Sequence, residues 1–419
     1  MQSLQLFPVD TLFFRDARPM QAGAGSGGHG ANWPLPTVLH EALRSELLRS
    51  AGVEVNGKPR LHRKRSSTSN ERHRYVASDE FRSLRTIGPF PCDDRTIYFP
   101  LPQDIVDRGG DDIDFLNPQM VDQASTSNFP TDWLHLLISP VPPSKKRWSE
   151  WVSLEWYNQY LGKGSSLVAP PERHCLYDVE PRIGVAIDHE TGAAIDGRLY
   201  ASEHLRLRPG VSLWFQASLS QRDREHNPKG LAPESFCGQV FPLGGESRSV
   251  RMGAARRNYF DSLVKPDLDT CCIKWVLTTH AVFNNGWLPS WIDSRTGAVM
   301  LKSGDVERRP EEPRLEWRKR IREMQTIQAH LVAARVQKPI YFSGWDGQWT
   351  PGSEAAGAQN GGPKPSFLAV PAGSVYYFQA DSIMDAQTLL DALWLRTRSD
   401  CFGEKGMGLG VCSTWQTAN

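Results

Sequence analysis

The last glycine-rich segment of the sequence, "GEKGMGLG" (403–410), lies close to the final residue, and its position limits the folds that the chain can adopt. A helical pattern precedes this segment, and only nine residues follow Gly410. In the phosphate-binding loops of nucleotide folds, the glycines lie between a strand and the helix after it, so that the helix N-terminus faces the phosphate. Here the order is reversed, and nine residues are too few for another full helix. The sequence therefore excludes a nucleotide-binding loop at this position.

An earlier glycine-rich segment (20–37) has the element order of a dinucleotide-binding loop but not its spacing. Residues 23–28 match the pattern G-x-G-x-x-G, and Glu54 stands where such a fold places its ribose-binding acid. However, eight residues separate Phe14 from the first of these glycines, and eight more separate the last from Thr37. A dinucleotide-binding loop is shorter than this. We therefore interpret the segment as a connection between the first strand and the first helix.

Hydrophobic periodicity predicts the same series of elements in both halves of the chain. The first half is predicted to contain a strand (4–14), helices (36–49 and 148–161), a long hairpin (182–207), a strand (211–219), a short helix (232–240) and a strand (249–252). The second half is predicted to contain a strand (271–283), a helix (312–328), two strands (331–345 and 367–380), a helix (382–396) and a final strand after the glycines. Each series resembles the β-α-β-β-α-β order of a ferredoxin-like unit.

We therefore predict an α+β fold of two tandem ferredoxin-like (RRM-like) domains with long insertions. The predicted domains are residues 1–262 and residues 263–419. Residues 55–135 are polar and rich in proline and charge, so we expect them to form an insertion rather than part of the core. The three tryptophans of the helix predicted at 148–161 are expected to be core and interface anchors.

Composition narrows the class of protein and its location. Seven cysteines, an odd number without C-x-x-C spacing, disfavour both a disulfide framework and a zinc site, and they favour a reducing cytoplasm. No apolar run approaches the ~18 residues of a membrane span, and the first residues do not resemble a signal peptide. We therefore predict a cytoplasmic protein with no membrane partner and no cofactor.

The net charge of +1 does not indicate a nucleic-acid partner, but the basic residues are clustered. Local basic runs occur at 60–74, 145–147 and 248–257, and each could also be a solvated loop. Arg15 and Arg18 follow the first predicted strand, where guanidinium groups can bind phosphates in a bidentate manner. The alternative for these two arginines is a structural pair with an aspartate beside them.

The glycines of the C-terminal segment have two possible roles. Gly406, Gly408 and Gly410 can bring backbone N–H groups close to an RNA phosphate, with Lys405 adding positive charge. They can equally form a tight turn between a helix and a strand. His29 is the one polar ring of the earlier glycine segment, either an RNA contact or a solvated loop residue.

Nine segments occur in the order seen in one protein family: "PVDTLFFRDARPM", the glycine-rich segment after it, "WPLPTVLHEALRSEL", "YNQYLGKG", "PRIGVAIDHETGAAIDGRLYASEHLRL", "FPLGGESRSV", "KPIYFSGWDG", "KPSFLAVPAGSVYYF" and "GEKGMGLG". The chain thus resembles the third-named subunits of the Cmr complex, the type III-B CRISPR effector, which belong to the RAMP superfamily. The resemblance runs from residue 4 to about residue 412, apart from the insertion and a charged segment near 303–325. The chain departs from the family at His40 and Glu41, where tyrosine and glycine are usual.

The resemblance implies a non-catalytic subunit with tandem or modified ferredoxin-like folds. Such subunits cap the complex at the 5′ end of its guide RNA (crRNA), where they grip the repeat-derived 5′ handle. They also dock on the large polymerase/cyclase-like subunit and on the RAMP backbone subunits. The resemblance carries RNA-binding roles to the two arginines after the first strand and to both later glycine groups. With nearby basic residues added, the predicted RNA-binding set is Arg15, Arg18, His29, Arg182, Gly244, Gly245, Arg248, Arg251, Lys405, Gly406, Gly408 and Gly410.

The sequence is also consistent with two other functions. Other RAMP proteins are metal-independent endoribonucleases that process repeat RNA, and His29, His40 and His280 are the candidate acids and bases for that chemistry. None of them is paired with another catalytic residue type at a revealing spacing. The other alternative is an interaction module without direct RNA contact, in which the glycine segments are turns only.

A metal-dependent nuclease is disfavoured. Asp111, Asp112 and Asp114 cluster in the polar insertion, but no histidine or further carboxylate joins them at the spacing of a metal site. An acidic cluster in a loop is usually solvent-exposed charge. We therefore predict no bound metal.

Overall fold

Two five-stranded antiparallel sheets, one in each half of the chain, form the framework of the protein. The structure is a computed structural model. It describes residues 1–15, 33–52, 60–61, 75–76, 80–109, 112–119, 133–139, 141, 150–163, 169–227, 229–304, 306, 308–309, 312–346, 362–363 and 366–416.

The strands and helices alternate irregularly along the chain. In the first half the strands are β1 (Gln2–Pro8), β2 (Arg60–Leu61), β3 (Tyr75–Val76), β4 (Arg85–Cys92), β5 (Tyr98–Pro100), β6 (Ile105–Gly109), β7 (Asp112–Phe115), β8 (Asn117–Gln119), β9 (Leu136–Ile138), β10 (Trp151–Ser153), β11 (Tyr177–Ile187), β12 (Ala194–Leu207), β13 (Ser212–Ser218), β14 (Val240–Pro242) and β15 (Ser249–Ala254). In the second half they are β16 (Cys272–Leu277), β17 (Ala329–Arg335), β18 (Ile340–Phe342), β19 (Trp345–Asp346), β20 (Gly362–Pro363), β21 (Phe367–Ala369), β22 (Val375–Ala380), β23 (Arg396–Thr397) and β24 (Leu409–Thr414). The helices are α1 (Pro36–Ala51), α2 (Leu154–Lys163), α3 (Gln221–His226), α4 (Arg314–Glu323) and α5 (Ile383–Leu393).

The two large sheets have the same internal order. The first is β14–β15–β1–β13–β4, and the second is β17–β22–β16–β24–β23. In each half the opening strand, β1 or β16, pairs with two later strands and lies inside the sheet. The next strand that joins the sheet, β4 or β17, pairs with one of those later strands. The protein is therefore an α+β fold built mostly from antiparallel sheets.

Helix α1 covers one face of the first sheet, as its periodicity predicts. Leu39, Leu43 and Leu47 are spaced by four residues, so they share one side of the helix, and all three are fully buried against β1 and β13. Proline occupies the first turn, where its missing N–H group costs no hydrogen bond. Gly52 ends the helix in the left-handed conformation, with φ +74°. The sequence-based prediction of this helix is confirmed.

Strands β11 and β12 form a separate two-stranded ribbon, which confirms the predicted hairpin. A bridge between Leu12 and Leu205 joins the base of the ribbon to the loop after β1. Alternate residues on one face of the ribbon are apolar and exposed, with Ile183 75% and Leu199 63% accessible. Val179, Val185 and Ile187 belong to the same exposed face.

Part of the region expected to be an insertion outside the core belongs to the core. Strand β4 is an edge strand of the first sheet, and Phe90, Phe99 and Phe115 are almost fully buried. The prolines of β4 suggested a loop, but proline is tolerated in an edge strand because one side of that strand has no pairing partner. The expectation therefore fails for β4, β5 and Phe115.

One hydrophobic cluster joins the two halves of the chain. It contains Phe90 and Trp214 from the first half and Val276, Tyr377 and Trp415 from the second. Such a cluster removes apolar surface of both sheets from water together. The two sheets therefore share a core at this place.

A buried ion pair lies beside this cluster. The Lys274 ammonium on β16 is 2.9 Å from a carboxylate oxygen of Asp104, and both side chains are almost completely buried. The Tyr160 hydroxyl on α2 donates to the same carboxylate at 3.0 Å. Burial lowers the pKa of Lys274, and the adjacent carboxylate opposes that effect. Removal of one partner would leave a buried charge uncompensated, so the pair ties residue 104 to the second sheet.

Several predicted elements have different ends or different burial. The predicted strands at 4–14 and 271–283 end at Pro8 and Leu277. Helix α2 begins at Leu154, after the short strand β10, and the helix predicted at 232–240 is a single 3₁₀ turn, Pro233–Phe236. Helix α4 has no buried residue, although its apolar spacing predicted a packed face. None of the helices in the described ranges is long and apolar enough to cross a membrane.

Candidate functional site

The turn between β14 and β15 packs against the loop that follows β1. The Gly245 N–H group donates a hydrogen bond to the Phe13 carbonyl oxygen at 2.8 Å. Gly244 has φ +85°, and a Cβ atom there would lie 2.4 Å from the same oxygen and 2.8 Å from the Phe14 ring. Only glycine fits this approach without displacing the loop. The turn therefore fixes the segment that carries Arg15, which is exposed.

Three arginines from distant parts of the sequence converge on Asp10 at this position. The distances from its carboxylate are 3.4 Å to Arg182, 3.2 Å to Arg206 and 3.2 Å to Arg248. The pKa of Asp10 is lowered, first by the backbone N–H of Thr11 and then by the neighbouring guanidinium groups. The structure therefore brings the predicted residues Arg182 and Arg248 together beside the glycine turn.

Carboxylates balance the charge of this cluster and orient its guanidinium groups. Glu180 accepts from Arg182 at 2.8 Å and from Arg206 at 2.6 Å. Glu246 lies 3.7 Å from Arg248. Each guanidinium has five N–H donors, so an arginine held by a carboxylate keeps donors for a second anion. The cluster is thus a set of pre-oriented donors rather than a patch of uncompensated charge.

A buried histidine, which the sequence did not indicate, holds the loop in place. One ring nitrogen of His204 lies 3.2 Å from the Thr11 hydroxyl, and the other lies 3.2 Å from the Ser202 hydroxyl and 3.1 Å from a Glu246 carboxylate oxygen. The ring stacks on Phe13 with the ring centroids 5.0 Å apart. Burial lowers the pKa of His204, and Glu246 opposes that shift. No local pattern in the sequence indicates this contact.

The C-terminal glycines have a different environment. Gly406, Gly408 and Gly410 are all buried. Added Cβ atoms would lie 2.7 Å from the Thr86 carbonyl oxygen, 2.4 Å from the Ser399 nitrogen and 2.1 Å from Trp275 Nε1, respectively. Their described contacts are therefore within the chain and correspond to a tight turn. A direct RNA contact at these glycines stays a prediction.

The C-terminal glycine segment is held by the first half of the chain. The Thr86 hydroxyl on β4 donates to the Lys405 carbonyl oxygen at 3.2 Å, and His40 Nδ1 lies 3.1 Å from that hydroxyl. The Lys405 ammonium pairs with Glu41 on α1. The two positions at which the chain departs from the family that it resembles thus contact the segment directly or through one hydroxyl. Lys405 contributes to this contact between the halves.

The candidate histidines are placed as neutral structural groups. Burial lowers the pKa of His40 to about 3 and that of His280 to about 4. The Ala372 N–H group donates to His280 Nδ1 at 2.9 Å, which fixes that nitrogen as an acceptor. A general acid or base works best with a pKa near the operating pH. These two histidines therefore do not suit the proton transfers of an endoribonuclease.

The remaining predicted residues are placed as follows. Arg18 and His29 lie outside the described residues, as do Glu54, Asp111 and the basic runs at 62–74 and 145–147. Arg251 is exposed on β15. Asp114 accepts from the Phe115 N–H group, and among the described residues no group of three or more His, Cys, Asp or Glu could hold a metal ion.

Comparisons with known proteins identify the class of the chain. Residues 4–415 match the family model described as "CRISPR-associated protein (Cas_Cmr3)". The chain therefore belongs to the Cas_Cmr3 family. This confirms the resemblance to Cmr subunits, and the chain is a component of a type III-B CRISPR effector. No curated protein sequence matches the chain.

Solved structures of type III complexes are also similar to the chain. A chain from the cryo-EM structure of type III-B Cmr-beta bound to cognate target RNA and AMPPnP is 12% identical, with a TM-score of 0.41, and the match covers 90% of this chain and 86% of that one. A chain of the Csm3–Csm4 subcomplex of the type III-A interference complex is 9% identical, with a TM-score of 0.32 and coverage of 91% and 94%. A chain of the Csm1–Csm4 cassette with AMPPNP is 13% identical, with a TM-score of 0.30 and coverage of 70% and 80%.

Proposed function

We propose that the chain is a non-catalytic RNA-binding scaffold subunit that caps the 5′ handle of the crRNA in a type III-B effector. The observation that carries the proposal is the cluster at the end of β1. There the turn at Gly244, the loop leading to Arg15 and two further predicted residues, Arg182 and Arg248, lie side by side. Membership of the Cas_Cmr3 family supports the same function.

The proposed contacts between the chain and the RNA are mainly contacts with phosphates. The guanidinium groups around Asp10 are already oriented by carboxylates, so little side-chain entropy is lost when an RNA phosphate adds a second partner. A contact of this kind is independent of base sequence and weakens as the salt concentration rises. The exposed Arg15 extends the surface along the loop after β1.

We further propose that each half is a ferredoxin-like domain, residues 1–262 and residues 263–419. The support is the shared strand order of the two large sheets, in which the opening strand lies between the third and fourth strands of a β-α-β-β-α-β series. The RRM, a four-stranded RNA-binding module, uses a related sheet. The shared hydrophobic cluster makes the two proposed domains dependent on each other.

Docking on other subunits is proposed for the ribbon formed by β11 and β12. Its exposed face, with Ile183 and Leu199, is apolar and lacks the cations that a phosphate backbone would need. An isolated two-stranded ribbon is marginally stable, so a packed partner would rigidify it. The proposed partners are the large polymerase/cyclase-like subunit and the RAMP backbone subunits.

The proposal of a non-catalytic role is supported by the environments of His40 and His280, whose lowered pKa values do not suit acid–base chemistry. The absence of a cofactor and a cytoplasmic location stay predictions. A third predicted histidine, His29, lies outside the described residues, so RNA integrity must be measured directly.

The test uses the full chain purified with its large partner subunit and an end-labelled guide RNA, with and without the 5′ handle, at two salt concentrations. We compare the wild type with a double variant, Arg182→Ala with Arg248→Ala. The control is Arg224→Ala, which removes a guanidinium from a surface pair with Glu234 on the same half. We expect handle-dependent binding, intact RNA on a denaturing gel, and roughly tenfold or greater weakening only in the double variant.

Two results would contradict the proposal. Cleavage of the RNA without added metal would favour the endoribonuclease. Equal binding of RNA with and without the handle, by the wild type and the double variant alike, would show that the RNA surface lies elsewhere.

A further inference from the structure

The outer face of the first sheet carries an exposed aromatic residue beside an exposed arginine. Strand register places Phe7 on β1 opposite Arg251 on β15, and Arg251 opposite Val240 on β14. Residues opposite each other in an antiparallel sheet point to the same face. Phe7 is 44% and Val240 48% accessible, and Arg251 is exposed. The three side chains therefore form one row across three strands.

A glycine makes room for the Phe7 ring on the sheet. Three atoms of the ring lie 3.0, 3.8 and 4.0 Å from the position that a Cβ of Gly253 would occupy. Any larger residue at this position would push the ring away from the strand. These distances place the Cβ position close to the plane of the ring, so the Phe7 ring turns an edge towards β15 at Gly253.

The opposite face of the same strands is fully packed. Leu4 and Leu6 of β1 and Val250 and Met252 of β15 are at most 1% accessible, and they belong to the core beneath α1. The row is therefore supported by one of the most tightly packed parts of the first half. An aromatic ring fixed in this way loses little conformational entropy when a ligand stacks on it.

Arg251 differs from the arginines around Asp10 because it has no carboxylate or hydrogen-bond partner among the described residues. Strands β1, β14 and β15 contain no acidic residue. An apolar row alone would suit a protein partner, but a guanidinium with no described partner beside an exposed aromatic ring suits a group that is both planar and anionic.

We propose that Phe7 and Arg251 form a nucleobase site for single-stranded RNA, in which one unpaired base stacks on the Phe7 ring and an adjacent phosphate pairs with Arg251. The inference rests on the proposed function, since it requires that the chain bind RNA. Arg251 lies three residues along the same hairpin from Arg248, about 10 Å at the rise of a strand. An RNA strand held at the Gly244 turn would therefore reach the row within a few nucleotides.

The test compares three substitutions of Phe7 in the full chain with its large partner subunit, with the single-stranded handle RNA as probe. Loss of a stacked base lowers affinity between about fivefold and about 150-fold, so we expect a loss in this range for Phe7→Ala. Phe7→Leu keeps an apolar side chain without a π face and is expected to lose as much, whereas Phe7→Trp is expected to bind as the wild type does. Leu315→Ala, which trims an exposed apolar residue on α4, is the control and should leave RNA affinity unchanged.

Abasic substitutions in the RNA distinguish base stacking at this site from phosphate binding around Asp10. A handle RNA with one abasic nucleotide at the stacked position should bind the wild type as weakly as intact RNA binds Phe7→Ala, and it should lose nothing further with that variant. Arg251→Gln should reduce the salt dependence of binding by about one phosphate contact.

Four outcomes would count against the proposal or against the proposed function on which it rests. Wild-type affinity of Phe7→Leu would overturn stacking. Unchanged RNA affinity of Phe7→Ala together with loss of the partner subunit would show that the row is a protein interface. Failure of the wild type to bind the handle would overturn the proposed function. If only the Arg182→Ala, Arg248→Ala double variant lost RNA affinity, the proposed function would stand and this site would be rejected.

Discussion

The glycine turn at 244–245 and the glycine segment at 406–410 are both rich in glycine but have opposite surroundings. Gly244 is exposed, and its turn lies beside three arginines gathered around one aspartate. Gly408 is buried among Ser399 and the backbone of the C-terminal half, and its neighbour Gly406 touches β4 of the first half. A glycine group marks a close approach of two backbones in both places. The charged side chains around it, and not the glycines, distinguish a candidate RNA surface from an internal turn.

Each region also contains one buried histidine that bonds to a threonine hydroxyl. His204 contacts Thr11 in the loop before Arg15, and His40 contacts Thr86 on β4. Both rings are buried, and Glu246 lies beside the first ring, whereas the charges of Glu41 and Lys405 act on the second. The comparison predicts that changes at the buried segment affect stability, and changes at the exposed turn affect RNA binding.

The largest expected effect is that of Gly408→Ala on stability. The added Cβ would lie 2.4 Å from a backbone nitrogen, and the residue already has φ +74°. We expect the free energy of unfolding to fall by roughly 3 kcal/mol or more from strain and overpacking together. Gly286→Ala is the matched control, because its φ is +73° and nothing lies within 4 Å of the added atom. Denaturant unfolding measures both, and equal losses would mean that the close approach contributes nothing.

The second-largest expected effect is a dependence of protein stability on pH, which arises from His40 at the buried segment. His40 has a pKa of about 3 in the folded protein and about 6.5 when unfolded, so the unfolded chain binds more protons between these values. Stability is complete above pH ~6.5 and falls as the pH decreases below it, by about 2 kcal/mol at pH 5 for one such histidine.

His40→Gln tests this dependence, because glutamine does not titrate. Between pH 6.5 and pH 5 we expect the variant to lose about 1.6 kcal/mol less unfolding free energy than the wild type loses. His189→Gln, at an exposed position in the ribbon turn, is the control. Parallel pH profiles of the His40 variant and the wild type, measured by urea unfolding, would argue against a neutral buried ring.

A smaller effect is expected at the exposed turn. Gly244→Ala should displace the loop at Phe13 and weaken handle RNA binding about tenfold, or about 1.4 kcal/mol. Gly238→Ala has a comparable φ, +88° against +85°, without any atom within 4 Å of the added Cβ, so it isolates the effect of the clash. RNA titration by fluorescence anisotropy measures the difference. The predicted effect on RNA binding would be wrong if Gly244→Ala lowered the melting temperature as much as Gly408→Ala does and left RNA affinity unchanged.

The smallest effect is expected for Lys405→Met. Its ammonium pairs with Glu41, and both side chains remain partly accessible, so the pair should contribute less than about 1 kcal/mol to stability. We expect RNA affinity to change less than in the Arg182→Ala, Arg248→Ala double variant. A larger loss of RNA affinity would indicate that the C-terminal glycine segment is part of the RNA-binding surface.

Local patterns in the sequence predicted the elements whose burial depends on their own periodicity. Helix α1 and the ribbon of β11 and β12 are of this kind, and both are confirmed. Strand β4 was missed because its prolines resemble a loop, and its burial depends on Trp214 and Phe260, which are distant in sequence. Helix α4 shows the converse, since apolar spacing predicted a packed face, whereas none of its residues is fully buried.

The candidate site was predictable only in part. Composition and the resemblance identified Arg182, Arg248 and the glycines at 244 and 245. The structure places these residues together. Asp10 and His204 were not, because a single aspartate after a strand and a histidine within a ribbon have no local signature. Their importance arises from contacts across 172 and 193 positions of sequence, which no periodicity records.

The buried pair of Lys274 and Asp104 has a consequence for how the chain is made. The two residues are 170 positions apart, so the lysine is synthesised long after the aspartate. At ~5–20 residues per second, the interval is roughly 10 to 30 s. During that time the carboxylate has no buried cation to meet, and the aromatic side chains around it cannot close over it. The N-terminal half therefore has to wait on the ribosome, incompletely packed, until the second sheet begins to emerge.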